Sequence, residues 1–505
     1  MKAAKRTIAK ATIFLFIGVF LFSGCAKHPS VISASDPLEK LRQELDYFFS
    51  DPSFSNAYWG VAIKSLDNGE LLYLRNENKG FMPASNMKLF TTSASLLKLG
   101  KEYRFTTNLY YKGKVQGSIL DGDLIVRGVG DPSITGRYHG GHATQVFEDW
   151  ADSLKSKGID TITGRIIGDD NYFKEEIMGA GWSWDYQSDY YAAQISALSF
   201  NDNCQDIIFA PGDSVGAPTT FTLEPPTSYV TVINKVVTAD KVPGTDIYYN
   251  RKRGSNVVTC TGTLYINEKK KRDWFSVENP TLYAVTVFRE VLQSRGIKIV
   301  GNPTDIDELD GYRYPMKPEF VLASYTSPPL TEIIKTINKV SQNLYAELLL
   351  RVLGKEFAGE GSAAKGAEIE KAVFSKMGIN PNYLVLADGS GLSRVDLVTP
   401  LSVVKLLAYM YHHPCGDFFY STLPVAGVDG TIKKRMRGTA AQDNVRAKTG
   451  YIGRVRALSG YVTTKDGEKL TFSMICNNYT VPTTLANHTQ DTVCERLANF
   501  SRKTF

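Results

Sequence analysis

The chain has 505 residues, too many for one ordinary domain; at about 150 residues per domain the length suits roughly three. Hydrophobic residues make up 43% and charged residues 22%, which excludes wholesale disorder, and a mean hydropathy of -0.19 argues against a multi-span membrane protein. The formal net charge is +6, but Lys2, Lys5, Arg6 and Lys10 lie in an N-terminal stretch without acids, so the near-neutral remainder offers no electrostatic footprint for nucleic acid.

Residues 1–25 read MKAAKRTIAKATIFLFIGVFLFSGC. A basic start, an apolar run from Ala11 to Phe22 and the small pair Ser23-Gly24 precede Cys25. The run is too short to span a bilayer and suits a secretory h-region. The pattern resembles a bacterial lipobox, so residues 1–25 are expected to be a lipoprotein signal with Cys25 acylated, which would anchor the protein to a membrane without spanning it. Localisation would then be the bacterial cell envelope, on the periplasmic side. The other cysteines are Cys204, Cys260, Cys415, Cys476 and Cys494, with no CxxC spacing. Disulfides are permitted in that compartment, and an odd count leaves at least one thiol unpaired.

In chain order, residues 36–50 predict a helix, with Asp36 as cap, Pro37 in the first turn and Leu38, Leu41, Leu45 and Phe48/Phe49 on one face. A hairpin follows, with Val61 and Ile63 in one strand, Asn68-Gly69 at the turn and Leu71–Leu74 in the return. A helix runs from near Pro83 to Leu99 and stops at Gly100. From about 105 to 305 short β-rich runs alternate with Gly, Pro, Asp and Asn, closed by an amphipathic helix near Tyr283–Arg295. Helical periodicity returns after about 318. The helix before His412-His413-Pro414-Cys415 is expected to be stopped by Pro414, and that cluster lacks the ligands for a metal site. A second hairpin, Leu458–Val462 and Leu470–Ile475 around Asp466-Gly467, precedes a short helix near Asp491–Phe500. The fold class is therefore α/β (α+β): one domain, 26–104 plus 311–505, split by a mainly β insertion of one or two domains over 105–310.

Ser85-Asn86-Met87-Lys88 falls in the first turn of a helix, and a spacing of three puts Ser85 and Lys88 on one face. A lysine amine in a partly desolvated cleft can lose its proton and activate a serine. S-x-x-K also occurs at Ser95–Lys98 and Ser402–Lys405, so one match decides nothing. Ser341-Gln342-Asn343 is S-x-N, a shape repeated at Ser199–Asn201. Lys448-Thr449-Gly450 is expected on an edge strand, where Gly450 lets a substrate backbone approach. Order carries the information: S-x-x-K, S-x-N, K-T-G is the signature of penicillin-recognising serine enzymes. Ser85 and Ser341 are 256 residues apart, which demands the insertion that composition places there.

Longer segments strengthen this: PASNMKLFTT, GDLIVRGVGDPS, GWSWDYQSDYYAAQISALSFNDN, ADGSGLSR, LPVAGVDGTIKKR and RAKTG. Over about residues 40–500 the chain resembles the D-alanyl-D-alanine carboxypeptidase/endopeptidase family of low-molecular-mass penicillin-binding proteins, type 4. That resemblance implies a transpeptidase/β-lactamase-like domain, an antiparallel sheet with helices on both faces. It implies hydrolysis of peptidoglycan stem peptides and cross-links, with β-lactams as covalent inhibitors and no metal or cofactor. Carried over, Ser85 is the nucleophile, Lys88 its base and Ser341 the proton relay to the leaving amine. Asn343 holds the substrate amide; Lys448 and Thr449 bind the terminal carboxylate. Backbone N–H groups of Ser85 and Tyr451 form the oxyanion hole. Arg394 and Asp185 are candidate substrate contacts. The rivals are a β-lactamase-like hydrolase, which would need a dedicated water-activating base, and a silent wall-binding lipoprotein. Gly212–Gly216 matches G-x-S-x-G, but Pro218 and β-like residues follow, so it is expected to be a turn.

Overall fold

The computed structural model describes residues 36–174, 177–240 and 246–503; the expected signal segment and Cys25 lie outside them. The first helix spans Pro37–Phe49, and the Asp36 carboxylate accepts the Leu38 N–H at 2.9 Å. Next comes the hairpin Tyr58–Ser65 and Leu71–Arg75, turning through Gly69 at φ +80°.

These two strands join the far end of the chain. In a five-stranded sheet the spatial order is Arg446–Ile452, Val455–Thr463, Lys469–Asn477, Tyr58–Ser65, Leu71–Arg75, with all pairs antiparallel. Val61 stands opposite Met474. Alternation divides the side chains between two faces. Leu470, Phe472, Met474 and Cys476 meet the helices Pro37–Phe49 and Thr483–Ala498 on one side. Ala457 and Ile475 face a larger core of helices Met87–Leu99, Leu330–Val340, Asn343–Ala358 and Pro400–His412 on the other. With both faces covered, the middle strands read as near-continuous apolar runs. The helix Met87–Leu99 runs through this second core, with every side chain from Met87 to Leu96 buried, and stops at Gly100 with φ +87°.

Between Leu99 and Leu330 lie three further sheets. The largest has seven strands: Thr106–Gln116, Ile119–Arg127, Thr161–Ile162, Ile166–Asp169, Lys298–Ile299, Pro303–Asp305 and Val321–Thr326. Two three-stranded sheets hold Cys204–Ala210 with Thr220–Glu224 and Lys271–Ser276, and Thr231–Ala239 with Asp246–Arg251 and Val257–Tyr265. One apolar cluster, centred on Trp150, Phe147, Phe200, Tyr283 and Phe288, underlies all of them. The fold is an antiparallel sheet flanked by helices and interrupted by a mainly β insertion.

Three elements differ from expectation. A helix, Gln145–Ser156, stands inside the insertion, burying Val146, Phe147, Trp150, Ala151 and Leu154. The strand Val321–Thr326 pairs with Thr106–Gln116, so the inserted sheet continues past residue 310. The last helix begins at Thr483, well before Asp491. The Gly212–Gly216 segment is a turn between strands, and no helix follows Ser214. The helix before Pro414 ends at His412. All five described cysteines are buried free thiols.

Candidate active site

Ser85 sits in a turn of 3-10 helix, Ala84–Asn86, that runs directly into Met87–Leu99. Ala84 enters it at φ +46°, a left-handed backbone that L residues adopt only under constraint. Gly391 supplies part of that constraint: a Cβ there would lie 1.8 Å from the Ala84 carbonyl oxygen. One turn on, Lys88 is fully buried. Its Nζ lies 3.0 Å from Ser85 Oγ, 2.6 Å from Asn343 Oδ1 and 2.6 Å from the Ser390 carbonyl oxygen. The Asn343 amide orientation is fixed because its Nδ2 donates to the Tyr191 carbonyl at 2.7 Å. Two of the three Lys88 neighbours can therefore only accept. A neutral amine meets them with its two N–H bonds and keeps its lone pair for the Ser85 hydroxyl. Burial pushes the Lys88 ammonium down to about 7, against the opposing pull of the Asp388, Glu347 and Asp396 carboxylates.

Ser341 occupies the corner between helices Leu330–Val340 and Asn343–Ala358, at φ +64°. Its Oγ accepts from Lys448 Nζ at 2.8 Å, and that ammonium also donates to the Thr449 carbonyl at 3.0 Å. Lys448 is buried, and desolvation, with Lys88 and Arg456 adding repulsion, holds its ammonium well below the ordinary lysine range. Thr449 Oγ1 donates to Thr431 Oγ1 at 2.8 Å. Two side chains tie these pieces together: Asn86 Nδ2 donates to the Lys448 carbonyl at 2.9 Å, and Ser459 Oγ donates to Asn86 Oδ1 at 2.6 Å.

The strand Arg446–Ile452 is the sheet edge on this side. It turns through Gly453-Arg454, with Ile452 opposite Val455. In such a tight hairpin the closing pair is hydrogen-bonded, and pairs alternate from there. Thr449 and Tyr451 consequently direct their backbone N–H and C=O groups away from the neighbouring strand. Ser85, Ser341, Asn343, Thr449 and Tyr451 line one cavity of about 750 Å³, and Arg137, Tyr190 and Trp274 complete it from the insertion.

Gly450 has a neighbour the sequence did not suggest. A Cβ there would lie 2.6 Å from the Pro83 carbonyl oxygen and 3.2 Å from the Ala84 Cβ. The close approach is made by the protein's own Ala84–Asn86 turn. Gly450→Ala is expected to lower stability by about 1–3 kcal/mol and to slow acylation at Ser85, because the strand and the turn must separate. Thermal melting and penicillin-labelling rate measured together check this; a melting point and a rate both equal to those of the unsubstituted chain would contradict it.

Arg394 is exposed and donates through Nη2 to the Gly453 carbonyl at 3.1 Å, beside the edge hairpin. Asp185 is exposed in the short turn Trp184–Tyr186, of which Tyr186 lines the cavity. Neither Arg394 nor Asp185 lines it. The repeated short motifs come apart. Lys98 lies over the Phe357 ring, 4.1 Å from its centroid; Lys405 donates to the Gly378 carbonyl; Ser199 donates to the Ser196 carbonyl. Sequence reasoning missed Asn86, Tyr191, Ser390 and Thr431. Ser390 and Tyr191 act through carbonyl oxygens, which leave no side-chain signal.

Comparison with known proteins fixes the family. The profile described as the D-Ala-D-Ala carboxypeptidase 3 (S13) family matches residues 41–500. The chain belongs to that family. Among D-Ala-D-Ala carboxypeptidase 3 family relatives, the D-alanyl-D-alanine carboxypeptidase of Actinomadura sp. (strain R39) is 34% identical over 99% of this chain and 91% of its own length. The crystal structure of penicillin binding protein 4 from Haemophilus influenzae superposes with a TM-score of 0.76 at 26% identity, covering 91% of this chain and 99% of that one. A second crystal structure of that protein, complexed with a β-lactam, superposes with a TM-score of 0.71.

Proposed function

We propose that this serine peptidase is a D,D-carboxypeptidase that also opens D,D cross-links, acting on peptidoglycan stem peptides through an acyl-enzyme on Ser85. The observation that carries the reading is the Lys88 amine. It is buried, brought to about 7, engaged by two acceptors and 3.0 Å from Ser85 Oγ. Such an amine is a general base matched to neutral pH.

In this reading Ser85 Oγ attacks the carbonyl carbon of the penultimate D-alanine and its proton passes to Lys88 Nζ. The carbonyl oxygen gains charge between the N–H groups of Ser85 and Tyr451. The C–N bond then breaks, and the leaving amine takes a proton delivered through Ser341 Oγ. Water hydrolyses the ester and regenerates Ser85. Asn343 holds the substrate amide. Lys448, whose protonated form the arriving carboxylate stabilises against burial, and Thr449 take the free carboxylate. Arg394 and Asp185 would meet the stem peptide at the rim, one from each side of the Gly453 hairpin and the Tyr186 turn. The β-lactam complex of the Haemophilus influenzae protein supports β-lactams as acylating inhibitors here.

Residues 36–104 and 327–503 form the catalytic unit, with the inserted unit between them. Cys25 anchors the protein by a lipid to an envelope membrane, where the cell wall is within reach. Among the described residues no helix is long and apolar enough to cross a membrane.

Mass spectrometry of muropeptides incubated with the purified protein tests the reaction. The expected result is pentapeptides shortened by one alanine and cross-linked dimers split into monomers. Turnover of penicillin without either product would favour a β-lactamase, and absence of labelling by fluorescent penicillin would leave only a binder.

A further inference from the structure

Three consecutive non-glycine residues, Asn201, Asp202 and Asn203, have φ of 48, 57 and 54°. Asn and Asp tolerate left-handed backbone best among L residues, but usually one at a time. Such a run persists only where surrounding contacts over-determine it. Those contacts exist for the flanking residues. The Asn201 N–H donates to the Ile134 carbonyl at 2.9 Å, Asn201 Nδ2 to the Cys204 carbonyl at 3.0 Å, and Asn203 Nδ2 to the Gln194 carbonyl at 2.8 Å. Asp202, at the middle of the turn, sends its side chain elsewhere. Its Oδ1 accepts from Tyr345 Oη at 2.7 Å; its Oδ2 accepts from Gln342 Nε2 at 3.1 Å and from Arg137 Nε at 2.7 Å.

Gln342 is the middle residue of the Ser341–Asn343 corner, and Tyr345 is buried one half-turn into the helix that follows. We propose that Asp202 is a positioning residue, holding the Ser341–Asn343 corner in its left-handed, cavity-facing form by clamping it to the insertion. The inference rests on the hydrolase reading above. Asp202 touches no reacting atom and works through Gln342 and Tyr345. Release of the corner would draw Ser341 Oγ from Lys448 and Asn343 Oδ1 from Lys88, the two contacts that join the three motifs. One carboxylate meets three donors, one of them a guanidinium, and an amide has only one oxygen with which to accept. The same carboxylate fixes Arg137, whose side chain lines the cavity with Ser85.

Asp202→Asn isolates the side chain, because asparagine suits the left-handed backbone. Four readings are compared with the unsubstituted protein: fluorescent-penicillin acylation rate, labelled fraction at completion, kcat and KM on a peptide ending in D-Ala-D-Ala, and melting temperature. The expected result is complete labelling, with the acylation rate and kcat reduced about 10–30-fold and KM within about threefold, as for displacement of reacting groups by a fraction of an ångström. A merely structural role would lower the melting temperature or the labelled fraction and leave the rate constant of the labelled molecules unchanged; that outcome overturns the proposal. Tyr345→Phe removes one donor and keeps the ring stacked on Tyr138 at a centroid distance of 6.5 Å. About a threefold fall is expected there, and if Asp202→Asn does not fold, an unchanged rate in Tyr345→Phe overturns the clamp. If the unsubstituted chain takes label but releases no peptide product, the hydrolase reading fails, and the acylation comparison still decides on Asp202.

Discussion

Replacing Ser85 with alanine is expected to abolish penicillin labelling and to reduce peptide hydrolysis by about four orders of magnitude or more, the scale seen when a serine nucleophile is removed. Ser85 Oγ is the only atom lost. Its recorded partner is Lys88 Nζ at 3.0 Å, and the residue is half-buried beside the cavity, so little packing goes with it. The melting temperature should stay within a few degrees of the unsubstituted value, roughly the shift that 1 kcal/mol produces. Asn86, which ties the same turn to the Lys448 carbonyl, is untouched. Kinetics on a D-Ala-D-Ala peptide and a melting curve on the same sample check both halves. Hydrolysis within tenfold of the original would remove Ser85 from the chemistry.

Lys88→Arg is expected to be nearly as damaging, about 10³-fold in acylation rate, for a different reason. A guanidinium does not lose its proton in a protein and cannot act as base. The unsubstituted protein carries the complementary signature in its pH profile. With Lys88 brought to about 7 by burial, the neutral amine is present above that pH and absent below it. The acylation rate should rise as pH passes upward through about 7 and then level off, and residual activity in Lys88→Arg should lack that limb. Stability has the same sign. The folded amine titrates near 7 and the unfolded one at its ordinary 10.5, so between those values the unfolded chain binds more protons and this group makes stability rise with pH. A flat acylation profile from pH 6 to 9 would exclude Lys88 as the base.

Much of this architecture is legible because local signals agree. Asp36-Pro37 with an apolar face at Leu38, Leu41 and Leu45 fixes the first helix, and Gly69 and Gly100 stop their elements through positive φ. The order of S-x-x-K, S-x-N and K-T-G singles out Ser85, although S-x-x-K and S-x-N each have decoys elsewhere in the chain. Other features hide for physical reasons. Gln145–Ser156 has a full helical stripe, but it lies among short strands and a glycine-rich loop that set the expectation of β structure. The last helix opens with TTLANHTQ, too polar to announce a buried face. Gly450 looked like room for substrate and is room for Pro83, a contact between residues remote in the chain. Asp202 carries no motif; its interest arises only when its carboxylate is seen beside Gln342 and Tyr345.

The pairing of Tyr58–Ser65 with Lys469–Asn477 also governs when the enzyme comes into being. A growing polypeptide that already displays Ser85 and Lys88 still lacks the edge strand with Lys448, and the two strands between it and Tyr58–Ser65, until residues 446–477 have been made. Shorter chains therefore lack the Lys448 edge of the cavity, and the site is completed in one late step, when those three strands pair onto Tyr58–Ser65.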